Sequence, residues 1–341
     1  METGADTLPR LIPAKKENAL QQMVGDENYK KLRKLATNPL AVTGFILLFF
    51  FTLVAVAAPE LAPPQDPSNP YNIPRDGFRA DPLPPMTEWN SRQPPYVPAW
   101  YTAVTGRTEW VHIMGTTSGQ YDIWYGVVWG VRTAFFVGIV VTLAGLVMGM
   151  VVGSVAAFYG GWVDMLLMRI TDIFLAFPFL VAAMTLSAVF ASSGRSIWTP
   201  LAAIIIFGWM GYAQLIRGDI LAVREREFVT ASRVIGVNDF FILFRHILPN
   251  AIFPTIVVAS LQVGAVVITF AALSFLGVGV EPGYADWGQL ISFARNWITQ
   301  LNTYWYVVMF PGVTIVLFVM GWNLIGDAIR DVFDPRLGGT R

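Results

Sequence analysis

The sequence contains no cysteine and only two histidines among its 341 residues. Without cysteine, the chain forms no disulfide and carries no thiolate ligand or nucleophile. The histidines, His112 and His246, lack a second ligand at metal-binding spacing, so we expect no metal site. So few histidines support no Ser/His/Asp arrangement either, and we expect neither catalytic residues nor a cofactor bound by this chain.

Charged residues are also scarce, at 13% of the chain, whereas soluble domains average about 25%. Hydrophobic residues make up 55%, and the mean hydropathy is +0.53. A chain this poor in charge cannot cover a water-facing surface of ordinary polarity, so it requires a lipid bilayer as its solvent. The formal net charge of zero argues against a nucleic-acid partner.

The nucleotide-binding motif G-x-x-x-x-G-K-[ST] is absent from the sequence. This glycine-rich loop cradles the phosphates of ATP or GTP, so the chain does not bind a nucleotide in that manner. Any energy for transport must therefore come from a partner protein or from an ion gradient.

Long apolar runs dominate the sequence instead. The hydrocarbon core of a bilayer is about 30 Å thick, and about 20 helical residues cross it. Six segments have this length and composition, at 40–58, 131–159, 163–190, 198–216, 252–280 and 306–325. They predict an all-α, polytopic membrane protein with six transmembrane helices.

Lysine and arginine are distributed unequally between the two sides of these spans. All the lysines precede the first span, and arginines are concentrated between the fourth and fifth spans. The positive-inside rule therefore predicts that both termini are cytoplasmic. Ala55-Val56-Ala57 resembles a signal-peptide cleavage site, but the polar region 1–39 is too long for a typical signal, so we expect a retained helix.

The spans divide the chain into a cytoplasmic N-terminal segment 1–39, the first span 40–58, an extracytoplasmic insertion 59–129, a membrane core 130–327 and a cytoplasmic tail 328–341. The insertion is rich in proline and in aromatic residues, among them Trp89, Tyr96, Trp100, Tyr101 and Trp110. A flexible linker has little need for so many aromatic residues, so we expect a partly ordered cap; a solvated spacer is the alternative.

The loop 217–250 between the fourth and fifth spans is the most informative segment. Two short helical stretches bracket a break at Gly236-Val237-Asn238-Asp239, and Pro249 is expected to end the second stretch. The loop is too apolar to be solvated and too interrupted to cross a membrane. It therefore packs against the ends of the chain's own spans or into a groove of a partner protein.

The order of residues in this loop resembles the EAA loop of permease subunits in binding-protein-dependent ABC importers, which reads E-A-A, three residues, G, nine residues, I-x-L-P. The matching positions are Thr230, Ala231, Ser232, Gly236, Leu248 and Pro249. Thr230 replaces the glutamate, Ser232 the second alanine and His246 the isoleucine. No charge pair made through that glutamate is therefore carried over to this chain.

Other segments resemble the dipeptide/oligopeptide branch of these permeases, the DppC/OppC type. They are Gly115-Thr116-Thr117, the pair Asp172 and Pro178, and the ranges 273–279, 326–331 and 334–336. The resemblance implies a type I ABC importer permease fold in the inner membrane. It also implies half of a translocation pore for di- or oligopeptides.

The same resemblance implies partners and roles. The partners would be a second homologous permease subunit, two ATPase subunits that bind ATP-Mg, and an extracytoplasmic solute-binding protein. Phe228 would be an apolar anchor on the ATPase, Ala231 would permit close approach, and Gly236 would allow the break between the helices. Oligosaccharide, nickel or other small-solute cargo remains open, as does an ion-coupled secondary carrier; a membrane scaffold would leave the loop unexplained.

The third predicted span carries Asp164, Arg169 and Asp172 near one end. Ionisable groups inside a membrane are expensive and often functional. Arg169 and Asp172 are three residues apart and could pair on one helix face, so a structural pair is favoured over a proton or substrate site.

The second predicted span carries glycines four residues apart, at Gly145, Gly149 and Gly153. This spacing predicts close helix packing, either inside the subunit or against a second permease.

Overall fold

The computed structural model describes residues 25–91, 94–192 and 194–333. The tail positions 334–336 lie outside them. Two short strands, β1 (Thr87–Glu88) and β2 (Val111–His112), pair antiparallel, with Thr87 opposite His112. The helices are α1 (Asp26–Thr37), α2 (Pro39–Leu61), α3 (Ala99–Thr105), α4 (Ile123–Tyr159), α5 (Gly161–Leu175), α6 (Phe179–Ala191), α7 (Trp198–Gly208), α8 (Met210–Arg224), α9 (Glu227–Val234), α10 (Asp239–Phe241), α11 (Leu248–Phe275), α12 (Trp287–Phe293) and α13 (Leu301–Phe333).

Helical segments long and apolar enough to cross a membrane confirm the predicted architecture. The five single segments are Pro39–Leu61, Ile123–Tyr159, Trp198–Arg224, Asp239–Phe275 and Arg295–Val332. The third predicted span is instead the pair α5 and α6, which are bent by 84° relative to each other. Counted as one span, this pair brings the number in the described chain to six, as predicted.

The third predicted span, 163–190, is not one straight helix, because the helix breaks between Leu175 and Phe179. Pro178 lies at the break with φ −58° and ψ 113°. A proline has no N–H to donate and disfavours helical geometry in the residue before it, here Phe177. The bend follows from this residue.

The second span begins earlier than the apolar run indicates, at Ile123 rather than near residue 131. The Asp122 side chain accepts a hydrogen bond from the Tyr125 N–H and so caps the helix. The first turns of α4 are therefore buried beneath the insertion. The sequence had assigned these residues, 123–129, to the insertion rather than to the second span.

The glycines of α4 pack inside the subunit. A Cβ added at Gly149 would lie 2.5 Å from the Tyr212 Cβ and 2.6 Å from the Trp209 carbonyl oxygen. At Gly145 it would lie 3.2 Å from the Gly208 carbonyl oxygen, and Gly153 approaches Ala213 in the same way. The sequence left open whether these glycines pack inside the subunit or against a second permease. The structure shows that they pack inside the subunit, against α7 and α8.

The insertion forms an ordered cap, defined here as residues 62–122 without the undescribed positions 92–93. Tyr101 and Trp110 are fully buried and stack with ring centroids 4.8 Å apart. Trp89 and Trp100 are partly buried against the same cluster, whereas Tyr96 is exposed. This burial confirms an ordered cap rather than a solvated spacer.

Three indoles attach the cap and the start of α4 to the end of the first span. Each indole N–H donates to one of three consecutive carbonyls, in the pairs Trp100 with Glu60 (2.7 Å), Trp124 with Leu61 (3.0 Å) and Trp129 with Ala62 (2.8 Å). Carbonyls at the end of a helix have no partner within it. The tryptophans therefore satisfy groups that would otherwise be costly to bury.

The cap also rests on the loop that follows α11. The Ile73 N–H donates to the Gly283 carbonyl at 2.8 Å, and the Ala285 N–H donates to the Tyr71 carbonyl at 2.7 Å. Tyr71 also stacks on Tyr284, with ring centroids 5.3 Å apart. The cap thus joins the first span to the loop between the last two spans.

A buried histidine lies between two carboxylates inside the cap. His112 Nδ1 is 2.7 Å from Asp122 Oδ2, and its Nε2 is 3.2 Å from Asp76 Oδ2. All three side chains are fully buried. Burial is the strongest influence and lowers the pKa of His112, but hydrogen bonds and charge attraction from Asp122 and Asp76 outweigh it and raise that pKa above 6.5.

This arrangement predicts a pH dependence of stability. Because the pKa of His112 is raised on folding, its stabilisation is complete below 6.5 and is lost as pH rises through the folded-state pKa. We expect the melting temperature of the purified protein to fall as the pH is raised from 6.5. His112→Gln should flatten this dependence and His246→Gln should preserve it, as measured by thermal melts in detergent. An unchanged slope in His112→Gln would contradict the assignment.

Candidate functional site

The helix α9 carries the first part of the EAA-like motif. It begins after Arg226, whose backbone is extended, and it places Glu227 in its first turn. Val229 is fully buried against a cluster that includes Ile220 and Ile242. This single anchor holds the helix against the ends of the fourth and fifth spans and leaves its other face free.

The exposed face of α9 contains the residues that the resemblance assigns to coupling. Phe228, Thr230 and Ala231 are exposed, and Ser232 is partly exposed. The Ser232 hydroxyl donates to the Phe228 carbonyl at 2.8 Å, which satisfies it within the helix. The packing of α9 against the ends of the chain's own spans, the first of the two arrangements expected from sequence, is therefore present, and the opposite face of α9 is exposed.

The predicted break after α9 is confirmed. Gly236 has φ +79°, a conformation that glycine adopts without strain, and its N–H donates to the Arg233 carbonyl. The Asn238 side chain then caps the next helix by accepting from the Phe240 N–H at 2.8 Å. The chain therefore forms a helix, a sharp turn and a second helix.

Large apolar side chains project around this turn. Val234 is 81% exposed and Ile235 is 78% exposed. Phe240, Phe241 and Phe244 are also exposed on the helix that follows. We call Phe228, Ala231, Val234, Ile235 and Phe240 the coupling surface, after the role that the resemblance implies for the loop. Exposed apolar groups clustered in a polar rim are typical of protein-binding surfaces.

Sequence reasoning assigned coupling roles to Phe228 and Ala231 but none to Val234, Ile235 or Phe240. The available signal was the run of apolar residues directly before and after the break, where the ends of a solvated turn would be polar.

The expectation that Pro249 ends the second helix is wrong. A π-helical segment, Ile242–Ile247, leads directly into α11, and helical structure is continuous from Asp239 to Phe275. The wider π turn accommodates the missing N–H of Pro249 and the bulk of its ring. Pro249 is exposed and Leu248 is partly buried against the cluster under α9. The second helix of the motif is therefore continuous with the fifth span.

The charges of the third span form contacts with α8. Both Asp164 carboxylate oxygens accept from the Arg217 guanidinium, and Asp172 accepts from the Gln214 amide at 3.2 Å. Within the described part of the chain, Arg169 forms no ion pair with Asp172, so the suggested pairing is wrong. Asp164 and Asp172 instead tie α5 to α8, the helix that leads into α9.

The bent third span, the buried glycine contacts and the helix–turn–helix loop define a helical membrane protein of the permease type. Residues 145–339 match the family model described as binding-protein-dependent transport system inner membrane component, and residues 31–85 match the N-terminal TM domain of oligopeptide transport permease C. The chain belongs to the family of binding-protein-dependent transport system inner membrane components.

Relatives and a solved structure support this placement. The dipeptide transport system permease protein DppC of Alkalihalophilus pseudofirmus is 34% identical, over 91% of this chain and 90% of its own length. The glutathione transport system permease protein GsiD of Pectobacterium atrosepticum is 35% identical, over 66% of this chain and 73% of its own length. The inward-facing MetNI methionine ABC transporter matches with a TM-score of 0.50 and 19% identity, over 61% of this chain and 96% of that chain. The last match confirms the expected ABC importer permease fold.

Proposed function

We propose that this chain forms half of the translocation pore of an ATP-driven importer for di- or oligopeptides in the inner membrane. The observation that carries the proposal is the coupling surface, an exposed apolar helix and turn at the motif shared with permease subunits. It is the kind of surface that a cytoplasmic ATPase would cover. Peptide cargo is favoured by the relatives, which are named for dipeptide and glutathione transport.

The coupling surface supplies a physical route from ATP hydrolysis to the membrane. A partner that moves α9 acts on α8 through the short Glu225–Arg226 connection and on α11 through the continuous helix from Asp239. The Asp164–Arg217 pair passes the movement of α8 to α5. Rigid helices and an ion pair of this kind transmit displacement between distant sites.

The proposed assembly contains this chain, a second homologous permease, two ATPase subunits and an extracytoplasmic solute-binding protein. Both termini and the coupling surface would then face the cytoplasm, in agreement with the concentration of lysine and arginine on that side.

Purification from native membranes tests the assembly. The full-length chain is extracted in mild detergent through an affinity tag, and the proteins that accompany it are identified. We expect a second permease and ATPase subunits. A chain that is reproducibly solitary would contradict the proposal, and loss of uptake on adding a protonophore at constant ATP would favour an ion-coupled carrier. Growth on di- or oligopeptides after gene deletion tests the cargo.

A further inference from the structure

A polar cleft of about 360 Å³ lies on the side of the protein that carries the cap, between the start of the cap and the loop that follows α11. Small-molecule sites commonly have volumes of roughly 300–1,000 Å³. The polar side chains that line the cleft are Asn69, Asn72, Arg75, Tyr121 and Glu281. Asn72 and Glu281 are exposed and Arg75 is partly exposed, so a solute in the surrounding water can reach them.

The guanidinium group of Arg75 is held in place by three contacts. Its Nε donates a hydrogen bond to the Gly119 carbonyl at 2.6 Å. Its Cζ lies 4.0 Å from the centre of the Phe78 ring and 4.8 Å from the centre of the Tyr121 ring. Tyr121 in turn stacks on Phe293 of α12, with ring centroids 4.9 Å apart. A cation fixed in this way loses little conformational freedom when it binds a ligand.

Neither of the two charges in the cleft is paired within the described part of the chain. There, Arg75 forms no ion pair and its side chain donates only through Nε, so both terminal nitrogens remain free to donate. The hydrogen bonds to Glu281 are accepted by its backbone carbonyl, and its carboxylate forms none among the described residues. A cleft that holds a positive and a negative charge apart is complementary to a small molecule that carries both charges.

We infer that this cleft is an outer binding site for a free short peptide, whose terminal carboxylate is bound by Arg75 and whose terminal ammonium is bound by Glu281. The inference rests on the proposed function, which supplies the peptide and places the cap outside the cytoplasm. A guanidinium group binds a carboxylate through two parallel hydrogen bonds. The amides of Asn69 and Asn72 both donate and accept, as the amide groups of a peptide backbone require. Because these peptide groups do not depend on its side chains, the site accepts different sequences.

Three ligands test the two charges separately. The full complex, purified in detergent without the binding protein and without ATP, is incubated with radiolabelled trialanine, with trialanine amide, which lacks the carboxylate, or with N-acetyl-trialanine, which lacks the ammonium. We expect saturable binding of trialanine and at least about tenfold weaker binding of the other two, because each loses a charge-assisted hydrogen bond. Equal affinity for all three ligands, or no saturable binding of trialanine, would overturn the inference.

Substitutions assign each charge to its residue. Glu281→Gln should bind trialanine no more tightly than N-acetyl-trialanine, and Arg75→Gln should bind trialanine no more tightly than trialanine amide. Glu281 is exposed and its carboxylate forms no hydrogen bond within the described chain, so its substitution leaves the packing intact even if that of Arg75 does not. Arg79→Gln is the control, because Arg79 is exposed in the cap and does not line the cleft. Equal affinity for trialanine in Glu281→Gln and Arg79→Gln would overturn the inference.

Failure of the proposed function gives a different result. If the complex shows these charge preferences but takes up no trialanine with its binding protein and ATP, the importer proposal fails and the peptide site is retained. If it takes up trialanine normally but shows no such preferences, only the cleft assignment fails. A complex that binds no free trialanine, and that loses its binding protein in Arg75→Gln, would show that the cleft docks that protein instead and would overturn the inference.

Discussion

Ala231→Glu is expected to abolish ATP-driven uptake while leaving the spans folded. Ala231 is exposed on α9, and the helix is held by the buried Val229 on its opposite side, so the substitution disturbs no internal packing. The new carboxylate would lie among apolar side chains that include Phe228 and Val234. An unpaired carboxylate buried at an interface costs on the order of 3 kcal/mol, which weakens binding about 100-fold.

The measurement is recovery of the ATPase subunits with the tagged chain, together with peptide uptake by the reconstituted complex. Ala103→Glu is the matched control, because Ala103 is also exposed but lies on α3 in the cap. It should leave recovery and uptake unchanged. An Ala231→Glu variant that retains its ATPase subunits and normal uptake would show that α9 is not the coupling element.

Gly149→Leu is expected to prevent stable folding, because it forces apart two spans that are in backbone contact. Its Cβ would lie 2.5 Å from the Tyr212 Cβ and 2.6 Å from the Trp209 carbonyl oxygen, so α4 and α8 would have to separate. Overpacking a core by single methylene groups costs about 1–3 kcal/mol, and a whole isobutyl group against backbone exceeds this.

The amount of protein in the membrane and its melting temperature in detergent measure this effect. Val151→Leu provides a control on the same helix, since Val151 is 59% exposed and does not belong to the glycine row. Its melting temperature should stay at that of the unchanged protein. A Gly149→Leu variant that melts at the same temperature would contradict the close packing of these two helices.

The break inside the EAA-like loop was predictable from the sequence because its structure is local. Gly236 adopts a positive φ that glycine favours, and the Asn238 side chain caps the helix that begins at Asp239. Both features depend only on residues that are close together in the chain. The π-helical turn before Pro249 was not predictable in the same way, because a proline ends some helices and is absorbed by others according to the surrounding packing. The meeting of Arg75 and Glu281 in one cleft joins residues far apart in the chain and has no local signature.

The sequence by itself determined that the protein lies in a lipid bilayer, that its fold is all-helical, and how many spans it has. Low charge and long apolar runs require a bilayer, and a bilayer requires that backbone hydrogen bonds be satisfied within helices. Tertiary structure alone decided which helices are neighbours. Asp164 pairs with Arg217 rather than with a residue of its own helix, and the glycines of α4 contact α8 within the subunit. The physical reason is that such contacts join residues far apart in the chain, and their geometry depends on how all the spans pack together.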